Sequence, residues 1–287
     1  MKKNTIFSNA FEILAVALII LVGCEKETNS LDDYLNQLPQ GLKLDNSTPQ
    51  SYQLTEIYYS KNIDGTFSDK AKITAQYTRG LPDDYVKWNN VYFSFANDSI
   101  NQTFTSGIKQ EYMENFTYVP TDSLLTYESL YKNFPSTFPN KIYAINLIWD
   151  IYGLEIMAWL YFDSLKLNIP YHAGQINVKV PILLTDFTGT YYTRDLQLTW
   201  SGVTKLNNEN CAIIDFIALN NLTEYYLPGL HLQGNEDYWG TVYVSLKNKQ
   251  IEYGVFDNST TQSGEVIGAN QNFNSQLTRE VKVERIN

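Results

Sequence analysis

Glu155 stands among Ile148, Ile151, Trp159 and Phe162 in a stretch with helical spacing, so its carboxyl group is expected to lie against apolar surface. Burial disfavours the charged form and raises the pKa, the condition in which a carboxyl group can act as an acid or hold a ligand. A carboxylate that merely accepts hydrogen bonds from Tyr, Trp or Lys groups and orients its helix is shifted in the same way, and that structural role is the favoured one for Glu155. At 100° per residue, Asn146, Asp150 and Gly153 share another edge of the same helix, a small polar window toward a loop or water. Asp150, Glu155 and Trp159 are therefore the candidate ligand-binding residues, and no catalytic residue is assigned.

Other arrangements that could do chemistry are weaker. His172 and His231 are too few for a three-histidine zinc site, and neither lies in His-Glu-x-x-His spacing, so each is expected to be a loop histidine bonded locally and no metal or cofactor is expected. The sequence has no Gly-x-Ser-x-Gly elbow, no phosphate-cradling glycine loop and no calcium loop. The acid pairs Asp83-Asp84 and Glu236-Asp237 read as solvated loop charges. A glycosidase built from distant carboxylates that only folding brings together stays open. Cys211 lies in the apolar strand Cys-Ala-Ile-Ile-Asp-Phe and reads as an inert buried thiol.

The elements that must position these groups are mostly strands. Short β-branched and aromatic stretches separated by polar turns predict strands near 51–60, 71–78, 85–96, 101–106 and 112–119, then near 175–184, 191–204, 211–219, 240–246, 250–256 and 279–285. Short links such as Asn207-Asn208-Glu209-Asn210 and Lys247-Asn248-Lys249 imply antiparallel pairing. Between the two sets, Thr121-Asp122-Ser123 begins a predicted helix that runs to about Asn133, and a longer helix is predicted over 141–165. The longer one is apolar on most of its circumference and must be buried on nearly all sides, while Asn146, Asp150 and Glu155 argue against a membrane span. The fold class expected is mainly β with α, a curved, half-barrel-like antiparallel sheet around a buried long helix, with residues 39–287 as one domain and its helices near 121–165.

Composition narrows the partners. The chain of 287 residues carries a net charge of −10, which repels phosphate backbones and argues against nucleic acid. Aromatic residues make up 14%, including Tyr 22 and Trp 5; flat rings suit sugar or lipid ligands, yet they are also ordinary strand residues, and that packing role leads.

At the amino-terminal end, Lys2 and Lys3 precede the apolar run Ile13 to Val22, about half the roughly 20 residues that a membrane span needs. Residues 1–23 thus read as a secretory signal. Leu21-Val22-Gly23-Cys24 resembles the lipobox read by lipoprotein signal peptidases, and the resemblance implies that Cys24 carries acyl chains, each buried methylene contributing about 0.8 kcal/mol to anchoring. Residues 24–38 read as a tether. The blocks Tyr112-Met113-Glu114-Asn115-Phe116-Thr117-Tyr118, Asn146-Leu147-Ile148-Trp149-Asp150, Leu198-Thr199-Trp200-Ser201-Gly202 and Tyr238-Trp239-Gly240 resemble a family of uncharacterised bacterial lipoproteins of Bacteroidota type. More remotely, a curved sheet holding a helix is similar to half-barrel lipoprotein carriers, which bind acyl chains in the concave face; that likeness is one of fold and fixes no activity. The expectation is a lipid-anchored protein of the cell envelope, outer membrane by preference, leaning away from enzymes and binding an apolar ligand or a protein partner. A surface glycan-binding protein is the second reading and a hydrolase the third.

Overall fold

In the strands, alternation of apolar side chains decides which residues turn inward. The computed structural model describes residues 31–96, 100, 103–135, 140–172, 178–269 and 271–286; the signal segment, Cys24 and the first part of the tether lie outside the described residues. In β1 (Gln50–Asn62) Tyr52, Leu54 and Tyr58 are buried, and in β2 (Phe67–Arg79) Ala71, Ile73, Ala75 and Tyr77 are buried in the same rhythm. Then come β3 (Val86–Ala96), β4 (Ile108–Lys109), β5 (Thr117–Tyr118), β6 (Tyr171–His172), β7 (Val178–Leu184), β8 (Phe187–Thr193) and β9 (Gln197–Leu206). The longest strands close the chain: β10 (Glu209–Leu227), β11 (Leu230–Ser245), β12 (Ile251–Val266) and β13 (Gln271–Ile286). All form one open, curved antiparallel sheet in the order β4-β3-β2-β1-β13-β12-β11-β10-β8-β7, with β5 also on β3, β9 also on β10, and β6 on β9. The chain is thus mainly β, as its alternation predicts.

Two helices accompany the sheet, the single turn α1 (Leu31–Tyr34) and the long α2 (Asn140–Trp159). No residue of α2 is exposed. One side of α2 lies on the sheet, where Gly254 allows a close approach: a Cβ there would stand 3.4 Å from Leu154 Cδ1. Another side is covered by the segment that carries the buried Met113, Leu124, Tyr131 and Phe134; Trp149 Nε1 donates to the Tyr131 hydroxyl at 3.2 Å. A helix that is apolar all round is explained by having two covers.

Several expectations are corrected. The helix expected from Thr121 to Asn133 is a pair of 3₁₀ turns, Asp122–Leu125 and Glu128–Tyr131; Thr121 makes no side-chain cap, and Tyr131 Oη donates to the Leu124 carbonyl at 2.8 Å, folding one turn on the other. The longer helix stops at Trp159 because Tyr161 adopts a left-handed backbone (φ 59°), which sets Phe162–Ser164 apart as a 3₁₀ turn. The strand expected over 112–119 is broken by Asn115 (φ 58°), and the one over 191–204 is split at residues 194–196. Of the strand expected over 101–106, the described residues 103–106 are irregular. The tether is not free along its length: Leu38 is 1% exposed and Tyr34 packs on the core, which the apolar spacing Leu31, Tyr34, Leu38 permits.

The largest departure is that β10 to β13 extend far beyond their apolar parts, through polar segments such as residues 233–237, 258–265 and 274–276. Cross-strand pairs hold these extensions, among them Gln262 Nε2 to Ser275 Oγ at 3.2 Å. A bulge in β10 marks where the extension begins. Asn220 has φ 58°, and the side chain of the fully buried Asn221 donates to the Ala218 and Glu236 carbonyls (3.1 and 2.9 Å) and accepts from the Arg194 amide (3.2 Å). Through it β10 changes partner, from β9 at residues 209–217 to β8 at residues 222–226.

Candidate functional site

Stepping along α2 by one turn, Asn146, Asp150 and Leu154 form a stripe that lies on the sheet. Asn146 Nδ2 donates to the Tyr58 hydroxyl at 3.2 Å, Asp150 Oδ1 pairs with Arg279 Nη2 at 3.1 Å, and Leu154 rests over Gly254. Of the window expected toward a loop or water, Asn146 and Asp150 thus face a buried polar cluster, with Asp150 only 6% exposed, whereas a Cβ on Gly153 would meet nothing within 4 Å. The sheet supplies the partners because strand register lines them up: Tyr238 on β11, Asn258 on β12, Arg279 on β13 and Tyr58 on β1 are successive cross-strand neighbours.

Beside Arg279 three carboxyl groups converge, those of Asp150, Glu56 and Glu236, exposed by 6, 0 and 8%. Glu236 accepts from Asn258 Nδ2 at 2.9 Å and Thr260 Oγ1 at 3.4 Å, so it is no solvated loop charge; it occupies an inward position of β11. Glu56 Oε2 accepts from the Tyr58 hydroxyl at 2.8 Å. One guanidinium cannot neutralise three buried carboxylates, so at least one must hold its proton. Burial first, then the charge of Asp150, pushes Glu56 well above the usual carboxylate range. Glu56 Oε1 and Asp150 Oδ2 otherwise lack a donor, and the proton of Glu56 fits the hydrogen bond that joins the two groups.

Glu155 belongs to a second cluster. Arg79, at the end of β2, grips it with two bonds, Nε to Oε1 at 2.5 Å and Nη2 to Oε2 at 2.9 Å, while Nη1 reaches Asp84 Oδ1 at 2.8 Å. Burial raises the pKa of Glu155 and Arg79 restrains the rise. The partner is thus an arginine, where Tyr, Trp or Lys was expected. Trp159 lies on the same guanidinium, 5.7 Å from its ring centroid, and its Nε1 donates to the Lys249 carbonyl at 2.8 Å. The structure therefore joins Glu155 and Trp159 through Arg79 and places Asp150 in the other cluster. The recess beside them, lined by Tyr52, Tyr77 and Gln250 among others, measures about 10 Å³, room for about one water.

The remaining reactive groups are accounted for locally. Cys211 is fully buried, and burial pushes its thiol up to about 12. Both histidines, expected in loops, lie in strands: His172, in β6, contacts Asp195 at 3.1 Å, and His231, in β11, is stacked on Tyr226 with ring centroids 4.4 Å apart. Among the described residues no group of three or more His, Cys, Asp or Glu side chains could hold a metal ion, and no helix is long and apolar enough to cross a membrane.

Sequence reasoning missed Arg79, Arg279 and Glu56, although parity points to them. Each continues an inward series, Ala71-Ile73-Ala75-Tyr77-Arg79, Arg279-Val281-Val283 and Tyr52-Leu54-Glu56-Tyr58. Comparison with known proteins adds little to this geometry. No protein-family model matches the chain, and no curated protein matches it. Among solved structures, a DUF1329 family protein from Desulfovibrio piger aligns over 84% of this chain and 87% of its own at 8% identity, with a TM-score of 0.16, a likeness that carries no argument.

Proposed function

We propose that the chain is the binding domain of an envelope lipoprotein and that it works by recognition on the outer face of its sheet. The observation that carries this reading is the place of α2. Half-barrel carriers bind acyl chains in the concave face; in this reading the same face is taken up by α2, which has no exposed residue and is held by the Arg79–Glu155 and Arg279–Asp150 pairs. Among the described residues, Glu56, Asp150, Glu155 and Glu236, the clustered carboxyls that a hydrolase would use, are buried in the same packing. On the opposite face Ile217, Leu219 and Trp239 are 41, 46 and 41% exposed, with Ile217 and Trp239 directly paired across β10 and β11. Large apolar groups shown together in this way mark interaction surfaces.

A photo-crosslinking residue placed in living cells at Trp239 or Leu219, and in parallel at the half-buried Trp159 beside the recess, tests the reading. Capture of a partner from the outer-face positions is the expected result. Capture from Trp159 alone, or lipid co-purifying with the domain, would return the concave face to first place. Intact-mass analysis of the native product tests the anchor: an acylated Cys24 is expected, and a bare amino terminus or a retained leader refutes it.

A further inference from the structure

Beyond the bulge at Asn220 and Asn221, the outer face of β11 to β13 is polar in an orderly way, while β10 shows Leu222 beside Asn235. Register sets Glu224, Gln233, Ser263 and Asn274 side by side across four strands, and Asn235 and Thr261 pair in the adjoining row. Gln233, Ser263, Asn274, Asn235 and Thr261 line an open groove of about 380 Å³, completed by Ile63, Gly234 and Gln262; none of these side chains is charged, and the carboxylate of Glu224 stands outside the groove, next to Gln233. Carboxamides and hydroxyls both donate and accept, and placed at strand spacing they match the paired donors and acceptors of vicinal diols.

Beside the groove an aromatic ring is held ready. Tyr226 is 44% exposed, one face of its ring packed parallel to His231 (interplanar angle 4°). Glu224 Oε1 fixes the arrangement by accepting from Tyr226 Oη (2.8 Å), Gln233 Nε2 (3.1 Å) and His231 Nε2 (3.2 Å), bonds that also hold its carboxyl below the usual range. Preorganised polar groups beside a fixed ring lower the cost of binding. Trp239, on the same face, lies eight residues further along β11 than His231, roughly 27 Å at strand rise.

We infer that this surface binds a neutral glycan chain, laid from Tyr226 across the amide-lined groove toward Trp239. The inference rests on outer-face recognition as proposed above and names its partner class. An uncharged, amide-rich lining suits an uncharged polyhydroxylated ligand, whereas the centre of a protein contact is richer in apolar side chains than a groove whose one large apolar residue is Ile63.

The test uses the full mature chain with four neutral polymers, β-1,4-glucan, β-1,4-xylan, β-1,4-mannan and α-1,4-glucan, in affinity electrophoresis, followed by calorimetry with their hexasaccharides. Retardation by at least one polymer is expected, with affinity falling tenfold or more in Tyr226→Ala and in Gln233→Ala. Tyr127→Ala, at an exposed ring elsewhere, should leave affinity unchanged, as should raising the salt. No retardation by any polymer, or equal losses in all three variants, overturns the inference. Capture of a protein from Trp239 without glycan binding would also overturn it while leaving outer-face recognition standing.

Discussion

Asp150 keeps its proton up to about pH 6 in the folded chain, because burial outweighs the pull of Arg279, whereas an exposed aspartate releases its proton near 3.8. Between these values the folded state binds a proton that the unfolded state has lost, so this contribution favours folding at the acid end and disappears as pH rises through about 6. Burial raises Glu155 and Glu252 in the same direction. The thermal midpoint should therefore be higher at pH 5 than at pH 7.5, and should drop only once acid protonates Asp45 and Asp64, whose hydrogen bonds to Ser47 and Thr66 hold them low. A midpoint that falls steadily from pH 7.5 to 5 would contradict the burial account. The two members of the proton-sharing pair should also respond differently to substitution. Glu56→Gln keeps a neutral donor opposite Asp150 and should shift stability by no more than about 1 kcal/mol. Asp150→Asn removes the carboxylate that pairs directly with the buried Arg279 and should cost about 3 kcal/mol or more in a denaturant titration at pH 7. Equal costs for the two variants would mean that Glu56 is ionised.

At the scale of elements, the fit of α2 to the sheet depends on inward positions without side chains. A Cβ on Gly240 would come within 2.7 Å of the Phe216 ring and 2.3 Å of the Val255 carbonyl, so Gly240→Ala should overpack the layer and cost about 1–3 kcal/mol; an unchanged melting temperature would show that the layer can relax. The buried helix was legible in the sequence because its apolar residues cover the whole circumference, and the state of Glu155 was legible from Ile148, Ile151 and Phe162 around it. The partners of Glu155 and Asp150 were not, since Arg79 and Arg279 lie 76 and 129 positions away along the chain and meet the helix only through sheet register. The polar halves of β10 to β13 escaped for a related reason. Asn258-Ser259-Thr260-Thr261-Gln262-Ser263 has the composition of a loop, and only the neighbouring strands, which offer it a complete ladder, make it extended. The groove beside Tyr226 is built from those segments, so it was hidden with them.

For the whole molecule, the central seam of the sheet joins β1 to β13, residues 51–62 to residues 275–286, in one continuous antiparallel register. Each half of the sheet is made of strands near one another in sequence and can form early, but the seam must close a loop of some 200 residues, and topologies of this kind fold in milliseconds to seconds. A single substitution in the seam, Val283→Ala, should slow refolding in stopped-flow measurements if the seam forms in the rate-limiting step, and should mainly speed unfolding if it forms afterwards. Until the seam closes, α2 has no complete roof. In a chain made from its amino terminus the greasy helix emerges well before β13, and it must wait for the last strand to arrive. Omitting holding chaperones from a cell-free synthesis should therefore send this protein into aggregates while leaving proteins with locally paired strands unharmed.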